Sequence, residues 1–118
     1  MKVTIPVSVG ELLDKISILE IKAFITDDEY IHKELNELNK IKSTLTQYTL
    51  EHEIQLKKIN ETLWKIEDNI RQKEQRQEFD EEFVKLARSV YITNDKRAEL
   101  KRKINEETGS HYKEIKLY

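Results

Sequence analysis

Apolar residues recur along this chain with two different periods. Leu12, Leu13, Ile16, Leu19 and Ala23 share one face at about 100° per residue, which predicts a first helix. Ser8 followed by Glu11 is a Ser-x-x-Glu capping pattern that starts this helix, and the pattern fades near Ile25. Thr26-Asp27-Asp28 ends it and caps a second helix, where Ile31, Leu35, Leu38, Ile41 and Leu45 recur at helical steps. Thr49 opens a third, striped by Leu56, Ile59, Leu63, Ile66 and Ile70. The polar run from Lys73 to Glu78 predicts a bend. Phe79 and Asp80 then read as a hydrophobic staple and an N-cap, with Phe79 placed to meet Val84. The fourth helix runs to about Thr108, where Gly109 supplies a left-handed stop. At both ends the period shortens to two. Val3, Ile5 and Val7 alternate within residues 2–7, and Tyr112 to Tyr118 alternates again. The expected fold is mainly α, a four-helix bundle with short N- and C-terminal β-strands paired beside it, in a single domain over residues 1–118.

Polar residues interrupt these stripes at particular places. Glu20 falls between Ile16 and Leu13 on the first helix, where an unpaired buried carboxylate is costly. Ile18, Ile21 and Ile25 form a second apolar side beside Glu11, Asp14, Lys15 and Lys22. Either this helix is central in the fold or it meets a second copy of the chain. The third helix carries Asn60, Trp64, Glu67, Asp68 and Arg71 away from its apolar stripe. A tryptophan there either lies on a neighbouring helix or walls a pocket between acid and base. On the fourth helix, Arg97 takes a slot due to an apolar residue in the series Phe83, Leu86, Val90, Leu100 and Ile104. Asn94, Lys101 and Asn105 flank it. Arg97 therefore either answers Glu20 or Asp68 as a buried ion pair, or joins Lys101 in holding an anion.

Composition narrows the classes. The 118 residues include 21 basic and 23 acidic side chains, two glycines, one proline and no cysteine. The net charge of −2 gives no electrostatic reason to expect nucleic acid or a membrane surface. Absence of cysteine removes disulfides and thiolate chemistry and fits a reducing cytoplasm. No secretion signal and no spanning apolar run is present in the sequence.

Three long blocks carry a family resemblance. They are Val7-Ser8-Val9-Gly10-Glu11-Leu12-Leu13-Asp14-Lys15-Ile16-Ser17-Ile18-Leu19-Glu20-Ile21-Lys22, then Asn60-x-x-Leu63-Trp64-x-Ile66-Glu67-Asp68-x-Ile70-Arg71, and Tyr91-x-x-Asn94-Asp95-x-Arg97-Ala98-x-Leu100-Lys101. Together they resemble a family of small, mainly bacterial and phage proteins catalogued as a domain of unknown function. The resemblance spans nearly the whole chain and implies a compact helical domain, without supplying an activity or catalytic residues.

From the residues themselves the favoured function is a non-catalytic binding or assembly module, a homodimer with an internal polar site. Glu20, Trp64, Asp68, Arg71, Asn94, Arg97 and Lys101 are the candidates to hold a small anionic ligand or a partner helix. The alternative is an all-α, Mg²⁺-dependent hydrolase of nucleotides or phosphate esters. Glu11-x-x-Asp14 supplies half of the carboxylate pattern such enzymes need, with Glu67 as a further ligand, but Glu67-Asp68 has the wrong spacing for the other half. A mutase-like clamp for a dicarboxylate, built from Arg71, Arg97 and Lys101, lacks a specific match. His32, His52 and His111 are scattered without metal-ligand spacing, and there is no glycine-rich phosphate loop.

Overall fold

The computed structural model describes residues 1–46 and 48–117. Four helices follow one another: α1 (Val9–Ile25), α2 (Glu29–Lys42), α3 (Leu50–Gln75) and α4 (Glu81–Thr108). Ser8 caps α1 by accepting from the Glu11 N–H, Asp28 caps α2 through Tyr30, and Asp80 caps α4 through Phe83. Gly109 ends α4 in the left-handed conformation, φ 61°, that glycine adopts without steric cost.

Helix α1 is the hub. It packs against α2, α3 and α4, whereas α2 lies against α1 and reaches α3 through its last residue, Lys42, which pairs with Glu53 at 2.7 Å. Its centrality accounts for apolar residues on two sides: Leu12, Leu13, Ile16, Leu19 and Ile21 are all buried. Leu13 meets Leu56, Leu100 and Ile104 in the main core, with Val9, Leu45, Tyr48 and Ile59 packed around them. Leu45 reaches that core from beyond the end of α2, not from its helical stripe.

Helices α3 and α4 form a hairpin that continues past this core with few buried residues. Lys73 anchors its tip. The ammonium lies 2.9 Å from Asp80, 3.2 Å from Glu78 and 3.2 Å from Glu82. Phe79 stacks edge-on against Phe83, ring centroids 5.3 Å apart, and Val84 remains exposed. The staple thus closes one residue earlier than the sequence predicts. At the opposite end Glu107 accepts from the Thr49 N–H and hydroxyl, tying the start of α3 to the end of α4.

The paired terminal strands do not form: no described residue is in a β-strand, and the bundle is all-α. The two ends lie on different helices and so never meet as a ladder. Residues 2–9 lie against α1 and α2, where Lys2 bonds Glu37 at 2.8 Å. The tail beyond Gly109 runs beside α4 instead, with Glu114 at 3.4 Å from Lys101 and Lys116 at 3.2 Å from Asp95. Val3, Ile5, Ile115 and Leu117 stay exposed, so the alternation buries no common face. Tyr118, the last position of the expected strand, lies outside the described residues.

Candidate functional site

Where α1 crosses the α3–α4 hairpin, the interface is polar. Gly10, Asp14, Ser17 and Ile21 line that side of α1 at steps of four, three and four, and all four are buried. At Gly10 the helices approach so closely that a Cβ would stand 2.8 Å from the Lys101 carbonyl oxygen. The Gly10 N–H donates to Asn105 Oδ1 at 2.7 Å and the Val9 N–H to Ser110 Oγ at 3.1 Å. With Ser8 on Glu11, these side chains satisfy the donors that a helix start leaves open.

Asn60 of α3 joins the rest. Only 4 % exposed, its amide nitrogen donates to Asp14 Oδ1 at 2.8 Å and to Ser17 Oγ at 2.6 Å. Its carbonyl oxygen accepts from Arg97 Nη1 at 3.0 Å. Arg97 also donates to Asn94 Oδ1 at 2.7 Å. Asp14, 5 % exposed, faces the Lys101 ammonium at 3.5 Å on its other side. A continuous polar chain therefore runs Lys101–Asp14–Asn60–Arg97–Asn94 across three helices.

The two cations in this chain differ. Lys101 is buried and meets three carboxylates: Glu11 at 2.8 Å, Glu114 at 3.4 Å and Asp14. Burial pulls its pKa down, but the Glu11 hydrogen bond and the charges of Asp14, Glu11 and Glu114 outweigh that, holding it above 10.5. Arg97 is half-buried, and among the described residues its partners are two neutral amides and no acid. Its charge is uncompensated by direct contact.

Beside Arg97 opens a cleft of about 440 Å³. Trp64, Glu67, Asp68 and Arg71 of α3 form one wall, Arg97 of α4 another, and Ile18, Asn60 and Leu63 the floor. Trp64 is 41 % exposed and presents its ring to this space. Arg71 and Glu67 form a loose pair at 3.8 Å, and Asp68 accepts from Gln72 at 3.2 Å.

The family model described as a family of unknown function (DUF6165) matches residues 1–118. The chain belongs to this family. No curated protein and no solved structure matches it.

For this DUF6165 chain, the structure brings Trp64, Asp68, Arg71 and Arg97 to one cleft. Asn94, Arg97 and Lys101 line an adjoining hollow on α4. Glu20 lies elsewhere. It is partly solvated and pairs with Lys57 at 3.4 Å, where α1 outruns the core and leaves Phe24 and Ile25 exposed. Arg97 bonds neither Glu20 nor Asp68; it donates to Asn60, whose amide nitrogen donates in turn to Asp14. The acid that does enter the interior is Asp14. The sequence pattern sets it beside the second apolar side of α1 and among candidate metal ligands, and the missed signal is the small, polar stripe Gly10-Asp14-Ser17, which lets α1 approach two helices at once.

Glu11 and Asp14, the candidate Mg²⁺ ligands, share the Lys101 ammonium, and Glu67 opens onto the cleft instead. The described residues hold no group of three or more His or acidic side chains placed to grip a metal ion. Among the described residues no helix is long and apolar enough to cross a membrane.

Proposed function

We propose that this chain is a non-catalytic binding module whose cleft receives a small organic anion, held by Arg97 and Arg71 with its flat apolar part against Trp64. The observation that carries the reading is Arg97, a half-buried guanidinium whose partners among the described residues are Asn60 and Asn94, both neutral. A charge so placed gains more from an incoming carboxylate or phosphate than a solvated surface arginine, because both are partly dry and the fork geometry matches. Asn60 and Asn94 hold the guanidinium still without neutralising it. Glu67 and Asp68 at the rim disfavour a highly charged ligand and leave room for one that also carries an amine. The reading extends to a single cytoplasmic domain over residues 1–118 that acts as a homodimer.

A thermal-shift screen of small carboxylates, sugar phosphates and nucleotides tests it. A ligand at one hundred times its dissociation constant adds about 2.7 kcal/mol to the folded state. The hit is expected to lose its shift in Arg97→Met and to keep it in Arg88→Met, a cation outside the cleft. Shifts that survive Arg97→Met would place the ligand somewhere else.

A further inference from the structure

A second hollow opens on the far side of Trp64, and its character is different. Ile21, Ala23, Phe24 and Ile25 of α1, Leu35 of α2 and Trp64 of α3 border a groove of about 590 Å³. Phe24 stands at its edge rather than filling it, with 94 % of its surface in solvent. A whole phenyl ring beside an apolar hollow is a knob next to a hole, and both are unused within one chain.

Charge says what fits there. Glu61 and Lys65 flank the groove one helical turn apart on α3, and neither pairs with a charged group among the described residues. Glu20 and Lys57 on the same rim are already bonded to one another. The surface therefore offers one knob, one hole, one free acid and one free base. A two-fold axis passing between Glu61 and Lys65 would set Glu61 of each copy against Lys65 of the other and bring each Phe24 to the opposite groove.

We infer that this groove is the self-association surface of the protein, with a second copy of the same chain as its occupant. The inference rests on the homodimer in the reading above; the groove shares Trp64 with the anion cleft but neither Arg97 nor Arg71. Phe24 and Trp64 are the type of residue that dominates such interfaces, each burying about 150–250 Å² on contact.

Sedimentation velocity of the full chain, from micromolar to submillimolar concentration, is the test. Wild type is expected to pass from monomer to dimer across that range. Phe24→Asp should weaken the association about thirtyfold or more, as loss of an aromatic anchor does. Glu61→Lys and Lys65→Glu should each weaken it about threefold, and the double exchange should restore it because unlike charges again face each other. Phe24→Ala gives the same readout should the aspartate variant fail to fold, as judged by circular dichroism. A chain that stays monomeric throughout overturns the inference. So does a dimer indifferent to Phe24, or a double exchange no better than either single reversal. Ligand shifts measured on the same samples separate this outcome from failure of the anion site, since Arg97 plays no part in the groove.

Discussion

Asn60 is the joint on which three helices meet, and replacing it with leucine isolates what that joint contributes. Leucine keeps the same branched skeleton of four side-chain heavy atoms with bulkier methyl ends, so none of the effect arises from a cavity. The substitution removes the donor to Asp14, the donor to Ser17 and the acceptor for Arg97. Hydrogen bonds involving a charged partner contribute about 1.5–3 kcal/mol each, and neutral ones about 1. The Asp14 bond belongs near the upper figure because its carboxylate is 5 % exposed and keeps only the 3.5 Å contact with Lys101. The Arg97 bond belongs near or below the lower figure, since water from the cleft can replace it. Together these give about 3–4 kcal/mol of lost stability, a large share of the 5–15 kcal/mol typical of a domain. At about 4 °C per kcal/mol for a chain of this size, Tm falls by about 12–16 °C. Urea denaturation of wild type, Asn60→Leu, Asp14→Leu and the double variant measures the effect and its coupling. With Asp14 already apolar, the buried carboxylate no longer needs Asn60, so the two losses should fall short of additive by at least about 1 kcal/mol. A single-variant loss below about 1 kcal/mol, or strict additivity, would refute the polar chain as a structural unit.

Three further outcomes follow from neighbouring contacts. Gly10→Ala should destabilise by about 2 kcal/mol despite the helix-favouring methyl, because that methyl meets the Lys101 carbonyl oxygen at 2.8 Å; equilibrium unfolding decides it. Lys101 has a folded-state pKa raised above its ordinary 10.5, so its stabilisation is complete below that pH and is lost as pH rises through the higher value. The stability gap between wild type and Lys101→Met should therefore be constant at neutral pH and close in alkali, as read by urea midpoints. Glu78 and Asp80 go the other way: hydrogen bonds from Lys73, with Arg76 aiding Glu78 and the Phe83 N–H aiding Asp80, hold both below 4.5 and 3.8. Their contribution is present above those values and lost as pH falls through the depressed ones, so amide protection factors at residues 76–84 should fall in acid before those in α1 do.

Helix positions were legible because capping and periodicity agree at the starts of α1, α2 and α4, whereas Thr49 opens α3 without a side-chain cap bond. Ser8, Asp28 and Asp80 accept the bonds their positions announce, and Gly109 takes the φ its place requires. The terminal alternation was misleading because period two needs a partner strand, and the two ends lie on different helices with their apolar residues in solvent. The polar interior was legible as a fact and not as a list. Arg97, Lys101 and Asn94 stand in it, whereas Glu20 gave way to Asp14. A helical wheel assigns a residue to a face but cannot say how far along the helix its cover extends. Near the end of α1 that cover is gone, so Glu20 reaches water and Lys57, while Asp14 sits where α1 touches α3 and α4 together.

Whether Arg97 serves the fold or the cleft has a thermodynamic answer. A residue placed for structure leaves a deficit when removed, and one placed for a ligand leaves relief. Arg97 bonds two amides, yet it carries a half-buried charge with no acid in contact among the described residues. Replacing it with methionine, a side chain of comparable reach, gives up those two bonds and the cost of that charge at once. The two nearly cancel, because water in the open cleft can hydrate Asn94 and the freed carbonyl of Asn60. Arg97→Met should therefore change unfolding free energy by less than about 1 kcal/mol in either direction while abolishing the ligand-induced thermal shift. Lys101→Met should do the reverse, losing stability and sparing the shift, since Lys101 answers Glu11, Asp14 and Glu114 and does not line the cleft. A large stability loss in Arg97→Met would mean that the guanidinium holds α4 to α3, and the cleft would then be a by-product of packing.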